Sequence, residues 1–557
     1  MPKGDIIQGW KRRIAAIALA VAPPAFAAPD AAVTYAVSPR FEQDALVALD
    51  VRVAFKADPD GETRLSLPSR WMGHDTLWRN LAEVRVEGAS EVVEDGPDGR
   101  LVRSRPGQDL ALSYVVRSAI DHDPAESDGY PAEPWVRPDW FYVDGESALI
   151  TIDGREAAPV RFAWRGWPAE YRLASNLEDA RDDQAVEQTV LIGGKDLRVV
   201  RAGPVRLAVR GRFPFDDDAL AKALATILRA ERGFFGDALD TPYLVTASTI
   251  AAESGAVFVG TGKAGGFAMV ATPGMTLDDL RLLLAHEIFH AWNPARLGKV
   301  IGPRGYWFSE GFTDFYARRL LQRERLITPA QFAAAWNQTL RDYDLSPVKT
   351  LTGAQAADRF WTDADKLAYQ RGALLAVLWD QRLRRAGSGL DAAVRAQAEA
   401  FPHRQDAPLA ELIADAAAGL GVEVRGDIRA HIDQGLPLVL PADAFAPCAQ
   451  VLQVTRPVFE LGFTPQVDAQ GVMTAAGLRP GSAAARAGLR EGAIVVEKRA
   501  GVNGDALQPY DLRIKDTPES AARTVRFLPQ GEGSVAYQQL VLNPAAASDP
   551  GLCDFRP

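Results

Sequence analysis

The hydrophobic period of this chain changes near its middle, and that change limits what it can fold into. From Val33 to about Phe213, apolar residues recur at every second position. Examples are Val47, Leu49, Val51, Val53 and Phe55, then Leu110, Leu112, Tyr114 and Val116, then Val205, Leu207 and Val209. Such alternation, punctuated by Gly, Pro and Asp, belongs to antiparallel strands with one wet face. Near Asp216 the period lengthens. Leu220, Leu224, Ile227 and Leu228 share a helical face, and Asp216 to Asp218 put negative charge where a helix begins. From there to about Leu440 the segments read as Ala- and Leu-rich helices, interrupted by one strand-like piece, Tyr243 to Thr246. A third region, from near Val451 to Leu542, has short strands, Gly-rich turns and a small helix. A chain of 557 residues is too long for one core. The expected architecture is therefore multidomain α+β. It has an N-terminal antiparallel β domain over 28–214, a mainly helical domain over 215–445, a small domain over 450–545 and a tail over 546–557.

The first residues follow a different rule. Lys11, Arg12 and Arg13 precede an apolar run from Ile14 to Val21, and Ala25-Phe26-Ala27 is a small-x-small site. This is the layout of a secretory signal peptide, 1–27, so the product is expected to be exported, periplasmic or secreted. The run is shorter than the roughly 20 residues a spanning helix needs, and no other segment is apolar enough to span a membrane. Net charge is −10, which excludes the basic footprint of a nucleic-acid binder. The two cysteines, Cys448 and Cys553, lie near no histidine. In an oxidising compartment they either pair, tying the ends of the last domain together, or stay as two thiols.

The segment that carries chemistry is Thr276 to Pro294, TLDDLRLLLAHEIFHAWNP. Thr276 can cap a helix, Asp278 and Asp279 suit its first turn, and Pro294 marks its end. His286 and His290, four apart, project from one face and can grip a single ion. Glu287 sits about 100° round the helix, where its carboxylate can activate a water without binding the metal. A catalytic zinc takes three protein ligands and keeps one position open. Glu310 supplies the third. It lies in WFSEGFTD, at the start of a second helix running to about Arg323, beyond a loop that contains Gly298, Gly302, Pro303 and Gly305. Asp314, one turn further on, can accept the free ring N–H of a ligand histidine. One Zn2+ per chain is expected. The other histidines, His74, His122, His403 and His431, read as surface residues.

HEIFHAWNP followed by WFSEGFTDFY resembles the glycyl aminopeptidase family of gluzincin metallopeptidases, which carry a PDZ domain at the C-terminus. The resemblance implies a thermolysin-like catalytic domain and peptide or protein substrates. It also implies a further catalytic residue. Tyr369-Gln370-Arg371-Gly372 is similar to the family's Tyr-x-Lys/Arg-Gly element, whose phenol stabilises the tetrahedral oxyanion. In the third region, Glu460-Leu461-Gly462-Phe463 resembles a PDZ carboxylate-binding loop of Leu461, Gly462 and Phe463, and Gly481 to Val496 resembles the turn and helix of bacterial PDZ domains. A C-terminal peptide added as a strand is the ligand this implies.

One stretch departs from the family. Its Gly-Gly-Leu-Glu-His on the substrate edge strand aligns here with Gly265-Gly266-Phe267-Ala268-Met269, so the carboxylate that anchors a substrate amine is replaced by Ala268. Glu253 is the nearest upstream acid. The sequence thus leaves open an aminopeptidase with altered amine anchoring, an endopeptidase, or a catalytically weak zinc-containing scaffold that binds peptides through its PDZ-like domain.

Overall fold

The computed structural model describes residues 32–155, 158–179, 185–251, 257–467 and 472–555. The signal segment and Glu253 lie outside them. The described chain divides into two compact units, one of residues 32–225 with Ala238–Leu280, the other of Thr226–Asp237 with the residues from Arg281 on.

In the first unit, β1 (Val33–Glu42), β2 (Ala45–Lys56), β3 (Leu81–Glu87) and β4 (Asp109–Arg117) follow the alternation closely. β2 pairs antiparallel with β1 and β4, and Val51, Val53, Leu112 and Tyr114 turn inward to a shared core. A second antiparallel sheet holds β5 (Trp135–Arg137), β6 (Trp140–Asp144), β8 (Arg172–Ser175) and β9 (Val190–Gly194), while β7 (Val160–Trp164) joins β1 in parallel. The first sheet is thus mixed at one edge.

The last strands of this unit form a five-stranded sheet. β10 (Arg198–Ala202) and β11 (Val205–Arg210) pair with each other. Helix α1 (Asp217–Phe235) follows, and then come β12 (Tyr243–Thr249), β13 (Phe258–Lys263) and β14 (Gly266–Ala271). The order is β10-β11-β12-β14-β13, with β11, β12 and β14 parallel and the outer two antiparallel. This sheet runs across position 214, where the sequence suggested a domain boundary. After α1 it contains three strands where the periodicity suggested one. β14 is buried at every position. A strand covered on both faces shows no alternation, so period two could not reveal it.

The second unit is mainly helical. Its α2 (Leu277–Phe289), which begins just before the division, α3 (Tyr306–Arg323), α4 (Pro329–Leu345), α5 (Asp365–Arg385) and α6 (Leu390–Ala400) are amphipathic or buried all round. The third region belongs to this unit. A long antiparallel ribbon, β15 (Ala449–Phe459) with β21 (Gln530–Leu542), carries a meander of β16 (Thr464–Val467), β17 (Met473–Ala476), β18 (Ile494–Ala500), β19 (Tyr510–Lys515) and β20 (Arg523–Phe527). The meander has its own core of Leu461, Phe463, Ala484, Leu512, Ile514 and Val525. Asn337 of α4 holds the ribbon by exchanging hydrogen bonds with the Leu540 backbone at 2.6 and 3.0 Å. Cys448 and Cys553 are joined in a disulfide, so the pairing alternative holds. Among the described residues, no helix is long and apolar enough to cross a membrane.

Candidate metal centre

The helix that presents the two histidines starts as the sequence suggests. The Thr276 hydroxyl accepts the Asp279 N–H at 3.2 Å, and the Asp279 carboxylate accepts the Thr276 N–H at 3.0 Å, a reciprocal cap. It ends earlier than expected, at Phe289, with turns continuing through Pro294 to Leu297. A residue before proline is biased away from helical geometry, and Asn293 takes up the resulting turn. His290 therefore sits on the first residue past the helix, one turn from His286.

Glu310 arrives on α3, which lies against α5 at a pair of glycines. A Cβ on Gly311 would stand 2.4 Å from the Gly372 Cα, and one on Gly372 would stand 1.6 Å from the Trp307 carbonyl oxygen. Only glycine permits so close an approach of backbones. Gly311 follows Glu310, and Gly372 lies three residues after Tyr369, so this crossing brings carboxylate and phenol together.

The ligand atoms converge. His286 Nε2 and His290 Nε2 are 3.1 Å apart, and Glu310 Oε2 lies 3.3 Å from the first and 3.4 Å from the second. Ligands about 2.0–2.1 Å from a tetrahedral zinc are roughly 3.3 Å from one another. The three atoms thus outline one face of a zinc tetrahedron. Protons are arranged to match. His286 Nδ1 donates to Asp314 Oδ1 at 2.9 Å, and His290 Nδ1 donates to the Asn293 carbonyl at 2.8 Å. These partners assign the tautomers, and they turn both Nε2 lone pairs towards Glu310 Oε2. That oxygen is buried and receives no well-directed hydrogen bond among the described residues, whereas Oε1 accepts the Ser309 hydroxyl at 3.0 Å.

Three acceptors facing one another need a cation between them. The charge balance agrees. Glu287, Glu310 and Asp314 bring three carboxylates, and Arg318, 3.1 Å from Asp314, returns one positive charge. The deficit is the charge of one divalent ion. Titration shows the same demand. Burial pulls the His286 imidazole down, but the hydrogen bonds to Asp314 and Glu310 outweigh it and carry the pKa up to about 10. Burial raises the Glu310 carboxyl, yet the two imidazoles hold it well below the usual range. Protons and metal therefore compete for one donor set.

The remaining residues line up unevenly. Glu287 is buried beside the ligands and its charge reaches both imidazoles. The Tyr369 ring lies 5.9 Å from that of His286, and its hydroxyl is pushed well above its ordinary pKa by burial, then by the charges of Glu310, Glu287 and Asp314. It stays a protonated donor at all ordinary pH. Gly265, Gly266, Phe267 and Ala268 do not form an edge strand. Gly265 is in a turn, and the other three belong to β14, flanked by β12 and β13. With both sides hydrogen-bonded, no substrate backbone can add there, and the edge on that side of the sheet is β13. In the third region Leu461 and Phe463 point into the meander core. Gly462 adopts φ +78°, and a Cβ there would stand 2.3 Å from Ser482 Cβ. His74, His122, His403 and His431 are exposed or half-exposed, as expected.

Sequence reasoning did not single out Asn293, Ser309 or the Gly311–Gly372 contact. The Asn-Pro after the helix and the glycine that follows each key residue were the available signals.

Residues 279–372 match the M61 glycyl aminopeptidase family. The solved aminopeptidase N family protein from Idiomarina loihiensis is similar in fold, with 14% identity and a TM-score of 0.62 over 93% of this chain and 99% of that one. An M1 zinc metallopeptidase from Deinococcus radiodurans aligns at 18% identity and a TM-score of 0.42, covering 73% of this chain and 94% of that one. No curated protein matches the chain in sequence.

Proposed function

We propose, for a chain whose segment 279–372 matches the M61 glycyl aminopeptidase family, an exported enzyme that hydrolyses peptide bonds at the centre held by His286, His290 and Glu310. The observation that carries this reading is the convergence of two Nε2 atoms and one carboxylate oxygen at the spacing of zinc ligands. Zinc, when bound, supplies a Lewis acid for the scissile carbonyl and makes a nearby water acidic. The chain supplies the rest. Glu287 takes the proton of the attacking water and passes it to the leaving amine. Tyr369, neutral and hydrogen-bearing, donates to the developing oxyanion. Asp314 and the Asn293 carbonyl hold the two imidazoles in the tautomer that binds metal.

Substrate mode follows from what the chain lacks. Ala268 lies on an interior strand, away from the edge on which the family places its amine-anchoring carboxylate, and the strand at that edge, β13, carries no carboxylate along Phe258–Lys263. This favours cleavage that does not depend on a free N-terminus. The PDZ resemblance adds a second peptide site, supported by the Leu461–Phe463 loop preceding β16, a strand at the edge of its sheet.

Free and N-blocked peptide libraries, incubated with the zinc-loaded mature protein and with Glu287→Gln, test both points. Glu287→Gln is expected to keep zinc and lose 10²–10⁴-fold in rate. A variant as fast as the parent would remove the hydrolase. Cleavage of free peptides alone would restore the aminopeptidase mode.

A further inference from the structure

Asn293 touches two of the three ligand-bearing pieces at once. Its carbonyl oxygen receives the His290 Nδ1 proton at 2.8 Å. Its side-chain amide donates to the Phe308 carbonyl at 3.3 Å, the Ser309 carbonyl at 3.1 Å and the Thr313 hydroxyl at 3.0 Å. The residue is wholly buried, and three acceptors around one amide atom identify it as the nitrogen. Ser309 immediately precedes Glu310 and donates to its Oε1.

We infer that Asn293 is a positioning residue that fixes the distance between the second and third metal ligands. One end of this short side chain is tied to the imidazole of His290 through the backbone. The other is tied to the first turn of α3, which carries Glu310. A side chain with two internal rotations is a stiff bracket, and its two amide hydrogens, shared among three acceptors, determine the rotamer. The ion requires His290 Nε2 and Glu310 Oε2 on one tetrahedral edge, 3.4 Å apart here. Across the nineteen residues between them, with their glycine-rich loop, Asn293 is a direct tie. The bracket therefore preorganises the donor set, so that less ordering is left for the ion to impose.

This inference rests on the metal reading above, and its test separates the two. Zinc affinity of the full mature protein is measured by competition with a chromophoric chelator, alongside the melting temperature of the zinc-free form. Asn293→Leu is expected to weaken zinc binding 10–100-fold, the range for groups that orient a ligand. Asn176 serves as a comparison, being a buried asparagine that bridges the Gln188 and Ala264 carbonyls and the Val190 N–H, remote in sequence from the ligands. Asn176→Leu is expected to lower the melting temperature and leave zinc affinity unchanged. If Asn293→Leu does not fold, Thr313→Val, which removes one acceptor of the bracket, decides by a severalfold loss of affinity. Parental zinc affinity in every folded Asn293 or Thr313 variant overturns the positioning role and leaves the metal centre standing. A parent protein that binds no zinc overturns the metal centre itself.

Discussion

Each of the two units contains a buried cluster of charge, and the clusters are built differently. In the strand-rich unit, Asp144 pairs with Lys263, and neither side chain is exposed. Every strong acceptor is served. Asp144 Oδ2 takes the Lys263 ammonium and the Tyr130 hydroxyl, Oδ1 takes the Glu146 N–H, and the ammonium lies over the Trp71 ring at 5.0 Å. In the helical unit, three carboxylates face two imidazoles and one guanidinium, and among the described residues Glu310 Oε2 receives no well-directed hydrogen bond. Burying charge costs several kcal/mol per ion in either place. The first cluster offsets that cost internally with a lysine, and the second offsets it with protons on its imidazoles or with a divalent ion in their place. Imbalance, rather than burial, marks the functional site.

The largest effect expected from this contrast comes from Glu310→Gln. Zinc should be lost and hydrolysis should fall by on the order of a thousandfold or more. The zinc-free variant should melt below the zinc-free parent at neutral pH, because the protonated imidazoles lose the carboxylate that faces them. Metal analysis with calorimetry of the stripped protein checks both halves. A zinc-free variant that melts no lower than the parent would mean that protons do not take the place of the ion there.

Lys263→Met is the converse. Removing one partner of a satisfied buried pair strands the other, at a cost of about 3–5 kcal/mol. Zinc affinity should not change. Replacing both partners, Lys263→Met with Asp144→Leu, should recover most of the loss in a urea titration. If the single variant is neutral, the pair contributes nothing to the fold.

The two clusters also differ in how far the sequence reveals them. His286, His290 and Glu287 are encoded by spacing within one helix, and Glu310 and Asp314 by spacing within another. Local periodicity, caps and turn residues were enough to set them out. Lys263 and Asp144 are 119 positions apart, and an isolated Lys in a Gly-rich stretch reads as solvated surface. Only the ordering of strands buries it. The same ignorance of strand order put Gly266 to Ala268 on an edge, when β13 closes that side of the sheet. Asn293 escaped notice because its three acceptors lie fifteen to twenty residues away, across a loop whose path no local rule specifies.

A third cluster, at the far end of α3, tests whether balance can be conditional. Arg319 and Arg323 reach Asp391, Arg319 and Arg384 reach Asp380, and the surplus positive charge is met by backbone carbonyls of Asp554 and Phe555. The disulfide between Cys448 and Cys553 holds that tail in place. Cys448→Ser with Cys553→Ser should destabilise the protein by about 2–4 kcal/mol. Zinc binding to the folded variant should persist, because Glu310 sits at the opposite end of α3 and the two histidines belong to α2 and the turn after it. Loss of zinc together with the disulfide would join the two clusters into one functional unit.

The smallest effect belongs to Glu146, beside the balanced pair. Burial, then the Asp144 charge, raises its carboxyl to about 7, against the opposing pull of Lys263, and Gln188 donates to it at 2.7 Å. A carboxyl whose pKa is higher in the folded chain than in the unfolded one favours folding most when protonated. Its contribution is therefore complete below the unfolded value, near 4.5, and is lost as pH rises through about 7. Because the group is partly in water, the loss should be on the order of 1 kcal/mol. Glu146→Gln cannot ionise, so the difference in urea midpoint between parent and variant should change between pH 5 and pH 8, with the parent falling relative to the variant. A constant difference would mean that Lys263 already accommodates a second carboxylate, and the first cluster would then have spare positive charge instead of balance.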